Sequence, residues 1–227
     1  MTRNKGKARA KASKKANIKK KSDNFLRKKH LIESIKKYDD FVLYEESVEV
    51  PNGYDVKSTF KKMRQVLNAT KHGVGLAANQ VGVSKKMVII KPDSDSDSIT
   101  YMINPEIEST SGNKKYGREG CLSYPDTLAF IERFTSVEVS YHDENWIKHT
   151  VEYKEGDILG VVVQHEIEHL SSGHCQVHDW WKNPDGMRKE LEEKFKPQEE
   201  QTEESTGGYD VEESDDLKEE KGKRAVK

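Results

Sequence analysis

Cysteine is nearly absent from this 227-residue chain, and with only Cys121 and Cys175 a disulfide framework cannot organise the fold. Long hydrophobic runs are missing too. No stretch approaches the ~20 apolar residues of a membrane span, and nothing near the N-terminus resembles the apolar core of a secretory signal. There are no internal repeats, which sets repeat arrays aside. The glycine-rich stretch at Gly73 lacks the Gly-Lys-Ser/Thr ending of a phosphate loop. The N-terminal arm has no interleaved aromatics beyond Phe25, so it offers no stacking platform for bases. It is basic and acid-poor like an organelle address, but Lys dominates it rather than Arg and Ser. A soluble protein of a reducing compartment, the cytoplasm, is the expectation, with no membrane association.

What the chain does have is charge, unevenly placed. Hydrophobic residues make up 33% and charged residues 35%, too polar for the whole chain to belong to one core. Residues 1–37 carry fifteen Lys/Arg against Asp23 and Glu33, a net of +13. They read as a disordered or weakly helical arm: either a solvated tail or a salt-sensitive foot on nucleic acid, with the ribosome or its RNA as partner. Residues 198–227 hold eleven acids against five bases and read as an acidic disordered tail. Residues 38–197 are the size of one ordinary domain.

Inside that domain the hydrophobic period changes along the chain. Val56, Phe60, Met63 and Leu67 sit at helical spacing between Asp55 and Lys71, which predicts an amphipathic helix. Met87–Ile90 and Ile99–Ile103 are short strand-like runs around the acidic, serine-rich loop 92–98. Val137, Val139 and Tyr141 alternate with polar residues, as do Ile147 and Val151, and a turn at Asp143-Glu144-Asn145 makes them a hairpin. Asp157 is a plausible N-cap for a second helix carrying Ile158, Val161, Val162, His165 and His169. The expected fold is α+β, with antiparallel or mixed sheets packed around a central metal-binding helix and an N-terminal amphipathic helix.

Three segments carry chemistry. In Gln164-His165-Glu166-Ile167-Glu168-His169, the two histidines lie one helical turn apart, so both imidazoles can reach one ion. Glu166 can then touch a metal-bound water without ligating the metal. Two histidines hydrogen-bonded near a helix is the plainer alternative. In Glu119-Gly120-Cys121-Leu122-Ser123, Cys121 is a metal ligand, a nucleophile or a small buried hydrophobe. A pair of histidines in ligand register favours the metal. In Gly73-Val74-Gly75-Leu76-Ala77-Ala78-Asn79-Gln80, small residues permit close backbone approach. Gln80 ends that run as either an amide donor to an oxyanion or a structural amide.

Taken together, in this order and at about these separations, the three segments resemble the peptide deformylase family. Ile103-Asn104-Pro105-Glu106-Ile107 and Arg133 add lesser matches, and the likeness spans roughly residues 39–179. The resemblance implies an amide hydrolase that removes the N-formyl group from the initiator methionine of nascent polypeptides, releasing formate. Carried over, Cys121, His165 and His169 are the metal ligands and Glu166 the general base and acid. Gln80 and the Leu122 N–H become oxyanion donors. Gly73, Val74, Gly75, Ile158, Val161 and Val162 are the substrate-binding candidates. The implied cofactor is one divalent ion, ferrous iron (Fe2+) in the family's usual case, with zinc or nickel able to take the same site. N-formylmethionyl peptides are the implied partners of a monomer.

Three departures stand out. Glu168 replaces the family's usual Asp, Ser171-Ser172-Gly173 alters the helix exit, and Thr127-Leu128 stands where an arginine is common. His174, Cys175 and His178 follow the helix and need not reach the ion. They keep open a zinc protease with a downstream ligand such as Glu190, although the metzincin spacing is not met. A nucleic-acid-binding protein with a structural metal closed by four protein groups is the other rival. Glu119 and Arg133 are expected to pair, because a lone buried carboxylate would be costly.

Overall fold

The computed structural model of the protein describes residues 3–92, 98–171 and 175–194. The acidic tail and most of the serine-rich loop lie outside the described residues. Helix α1 (Arg3–Glu33) and a single 3-10 turn at Phe41–Leu43 precede helix α2 (Val56–Ala69). Strands β1 (Gly75–Ala77), β2 (Met87–Ile90), β3 (Thr100–Cys121), β4 (Tyr124–His142) and β5 (Lys148–Tyr153) follow. Helices α3 (Ile158–Glu168), α4 (Gln176–Lys182) and α5 (Pro184–Lys194) close the described chain. The five strands form one antiparallel sheet in sequence order, so the architecture is α+β.

Sequence explains the layering. β2 is apolar at every position because both of its faces are covered. Met87 and Ile89 point to α2, where they meet Phe60, Met63, Val66 and Leu67. Val88 and Ile90 point the other way, toward Val162 and Val163 of α3. β1 obeys the same alternation: Leu76 joins the α2 side and Ala77 the α3 side. Gly75 therefore faces α3 as well. Asp55 and Asp157 start α2 and α3, accepting from Ser58 N (3.1 Å) and Leu159 N (2.9 Å). The three consecutive valines of α3, poor helix formers, are held helical by that burial.

Two features differ from what the sequence suggests. The basic arm, expected to be disordered or weakly helical, is helix α1. Lys and Ala are good helix formers and no proline interrupts them. Its last turn is anchored as Leu31 packs on the core, Ile35 is buried, and Lys36 N donates to Gln80 O at 2.8 Å. Second, β3 does not end near Ile103 but runs 22 residues to Cys121, paired with β4 through several register shifts. Its middle, residues 106–115, is exposed, so no hydrophobic alternation marks it; the backbone ladder with β4 sustains it.

Candidate metal centre

β3 and β4 meet at a two-residue turn, Leu122-Ser123, with Cys121 opposite Tyr124. This tip presents the Cys121 thiol to the C-terminal end of α3. There His165 lies on the last turn and His169 caps the helix. One ligand atom from each of Cys121, His165, His169 and Cys175 lies within 4.8 Å of all the others, and all four residues are buried. Cys121 Sγ is 3.1 Å from His169 Nε2, and Cys175 Sγ is 3.8 Å from the same nitrogen.

Cys175 is the residue that sequence reasoning missed. It follows the helix exit without periodic register, so no spacing rule points to it. Of its neighbours, His174 lies outside the described residues, as do Ser172 and Gly173. His178 turns away from the cluster, its Nδ1 3.0 Å from the Tyr124 hydroxyl.

Around the donors lies a connected set of charges. His165 Nδ1 is 2.8 Å from Glu119 Oε2, which leaves Nε2 to face the cluster. Arg133 donates to Glu119 at 2.9 and 3.0 Å and to Glu168 at 2.7 and 3.0 Å. The expected Glu119–Arg133 pair is therefore present. Glu168 also accepts from Gln176 N (3.2 Å) and Gln176 Nε2 (2.6 Å), a reach that ties α3 to the start of α4. Burial would raise Glu119, but hydrogen bonds from His165 and Arg133 hold it below the usual carboxylate range. Burial would likewise lower His165, yet Glu119 pushes it up to about 9.

Gln80 and Glu166 border the same centre. The Gln80 Oε1 accepts from Ala77 N at 2.9 Å, which fixes the amide so that Nε2 points to Ser123 Oγ (3.1 Å) and Cys121 Sγ (3.6 Å). Glu166 is buried, and burial raises its pKa. Its Oε2 has no hydrogen-bond partner among the described residues. An added Cβ at Gly75 would come within 2.4 Å of Glu166 Oε1 and 2.8 Å of Val162. One at Gly73 would meet Thr70 at 2.5 Å and Leu67 at 2.8 Å. Only glycine lets the chain pass this close at these two positions. Asn79, buried behind the cluster, donates through Nδ2 to the His169 carbonyl.

A cleft of about 640 Å³ opens over the cluster. Gly73, Val74, Gly75, Gln80, Cys121 and Leu122 line one part of it; Ile158, Val161, Val162, His165 and Glu166 of α3 line the other. Arg118, Thr127 and Leu128 stand at the β3–β4 side. His169 and Cys175 sit behind the wall.

The donors fit a divalent transition metal. Thiols and imidazoles are the ligands such ions prefer over magnesium or calcium, and they converge in a dry, hydrogen-bonded setting. The unpartnered Glu166 oxygen beside them is a group that needs a polar companion. An antiparallel α+β fold with a buried Cys/His centre under a cleft defines a metal-binding protein whose site is open to a ligand. A family profile described as polypeptide deformylase matches residues 32–179. Peptide deformylase 1 of Vibrio vulnificus is 41% identical over 126 residues, covering 56% of this chain and 73% of that protein. Among solved structures, the deformylase of the Vibrio parahaemolyticus bacteriophage VP16T, in complex with actinonin, is similar at 35% identity. Its TM-score is 0.54, covering 60% of this chain and 95% of that one. The Synechococcus elongatus peptide deformylase, also with actinonin, gives 29% identity and a TM-score of 0.56, covering 67% and 87%. The chain belongs to the polypeptide deformylase family. It is a metal-dependent hydrolase of protein biosynthesis whose reaction is removal of the N-formyl group from nascent peptides.

Proposed function

We propose that residues 38–197 are the catalytic unit and act on the formyl group of N-formylmethionyl peptides as a monomer in the cytoplasm. Cys121 at the end of β3, with His165 and His169 at the end of α3, would hold one divalent ion, ferrous iron by resemblance, with zinc or nickel accepted by the same donors. When bound, that ion supplies Lewis acidity and makes water a nucleophile near neutral pH. Glu166 takes the proton of the attacking water and returns it to the departing amine, a role suited to a carboxylate raised by burial. The Gln80 amide and the Leu122 N–H receive the oxyanion, each worth about 3 kcal/mol when well placed. Val74, Ile158, Val161 and Val162 accept the methionine side chain, while Gly73 and Gly75 let the peptide backbone approach. The basic helix α1 adds salt-sensitive contact with ribosomal RNA.

One observation carries this reading: the buried Glu166 carboxylate, with an unpartnered oxygen, shares a cleft with the thiol–imidazole cluster and the fixed Gln80 amide. The similar peptide deformylase of Acinetobacter baumannii has been solved with Met-Ala-Ser bound (28% identity, TM-score 0.54, 60% of this chain and 91% of that one). Formate release from formyl-Met-Ala-Ser is the corresponding assay. Glu166→Ala should lose at least ~10²-fold in rate while retaining its metal. Undiminished formate release by that metal-loaded variant would remove Glu166 from the role.

A further inference from the structure

The two cysteines of the chain are 54 positions apart, and they meet at one point. Cys175 brings a second sulfur to a centre that needs only one for the proposed reaction. Its Sγ faces His169 Nε2 at 3.8 Å, and it is 7% exposed. Nor is it placed by accident. Its carbonyl accepts from His178 N at 2.8 Å. The next residue, Gln176, is gripped through both its N and Nε2 by Glu168, itself fixed by Arg133. Trp180, one turn further on, anchors α4 by donating to Phe130 O at 2.8 Å.

The bland alternative is that Cys175 merely fills space, as buried cysteines often do. It does belong to one buried cluster with Val177, Trp180, Tyr124 and Ile131. A space-filling thiol has no need, however, to lie within 4.8 Å of three other ligand atoms. Two thiols and two imidazoles are also the complete donor set of a tetrahedral ion.

We propose that Cys175 is a fourth protein ligand of the resting metal centre, beside Cys121, His165 and His169. With two thiols and two imidazoles in place, the resting centre would be closed to adventitious ligands. The proposal rests on reading this cluster as the enzyme's metal site, but its consequences can be measured without turnover.

Full-length protein loaded with Co(II) should show thiolate-to-metal charge-transfer absorption from two sulfurs. Cys175→Ala and Cys175→Ser should each lose about half of that intensity while still binding one ion. X-ray absorption of the wild-type zinc form, which needs no variant, should count two sulfurs. A count of one sulfur, or unchanged charge-transfer intensity in folded Cys175→Ala, would overturn the assignment. If wild type then still releases formate, the hydrolase reading stands without it. If two sulfurs are found and neither wild type nor Cys175→Ala releases formate, the ligand assignment stands and the hydrolase reading falls.

Discussion

The Arg133 guanidinium grips the Glu119 carboxylate in a two-pronged pair, Nε to Oε1 at 2.9 Å and Nη2 to Oε2 at 3.0 Å. Both side chains are buried, and the same carboxylate orients His165. The remaining guanidinium edge holds Glu168. A single arginine on β4 thus links the loop of Cys121, the helix of His165 and the start of α4.

Removing that arginine should be costly in two ways. Arg133→Ala strands two carboxylates, one fully and one largely buried, and should destabilise the protein by about 3–5 kcal/mol in chemical denaturation. It also frees His165 from its fixed orientation, so chelator competition should show metal affinity reduced ~10–100-fold. Arg133→Lys should fall between, since a point charge cannot serve both carboxylates. A stability and affinity equal to wild type in Arg133→Ala would refute the linkage.

Gly75 and Gly117 offer a paired comparison on two strands. A methyl group at Gly75 would collide with Glu166 and Val162, whereas one at Gly117 meets nothing within 4 Å. Gly75→Ala should therefore depress formate release by ~10²-fold or more through displacement of Glu166. Gly117→Ala should stay within about twofold of wild type. Equal activity of the two variants would contradict this placement.

A pH effect is expected at the β4–β5 turn, away from the centre. The Asp143 carboxylate is held below its ordinary value by hydrogen bonds from His149 and from the N–H groups of Ile147 and Asn145. A depressed folded-state pKa contributes stability that is present above the unfolded value and lost as pH falls through the folded one. The stability difference between wild type and Asp143→Asn should be flat above about pH 5 and shrink as pH drops below ~4. Denaturation midpoints measured across that range would check it; a difference that grows on acidification would be the wrong sign.

Much of this arrangement could be read from residue order because it depends on local repeat. The spacing of Val56, Phe60, Met63 and Leu67 marks α2, and Asp55 and Asp157 mark helix starts because a short carboxylate satisfies free N–H groups there. The Glu119–Arg133 pair was legible for another reason: a carboxylate next to a buried cysteine must find a cation. Long β3 was not legible, since its exposed middle has no buried face to impose alternation. Nor was the helical order of the arm, where composition alone did not separate a solvated coil from a helix anchored at one end.

By itself, the sequence determined that His165 and His169 share one end of a helix with Glu166 between them, because helical geometry repeats every few residues regardless of surroundings. It likewise put Cys121 beside a glycine where the chain reverses. Tertiary structure alone decided that Cys175 joins them, that Glu168 reaches both Arg133 and Gln176, and that Gly75 rests against Glu166. Those contacts depend on where α4 docks and how β1 crosses α3. Such placements come from burying whole faces, and no local spacing encodes them.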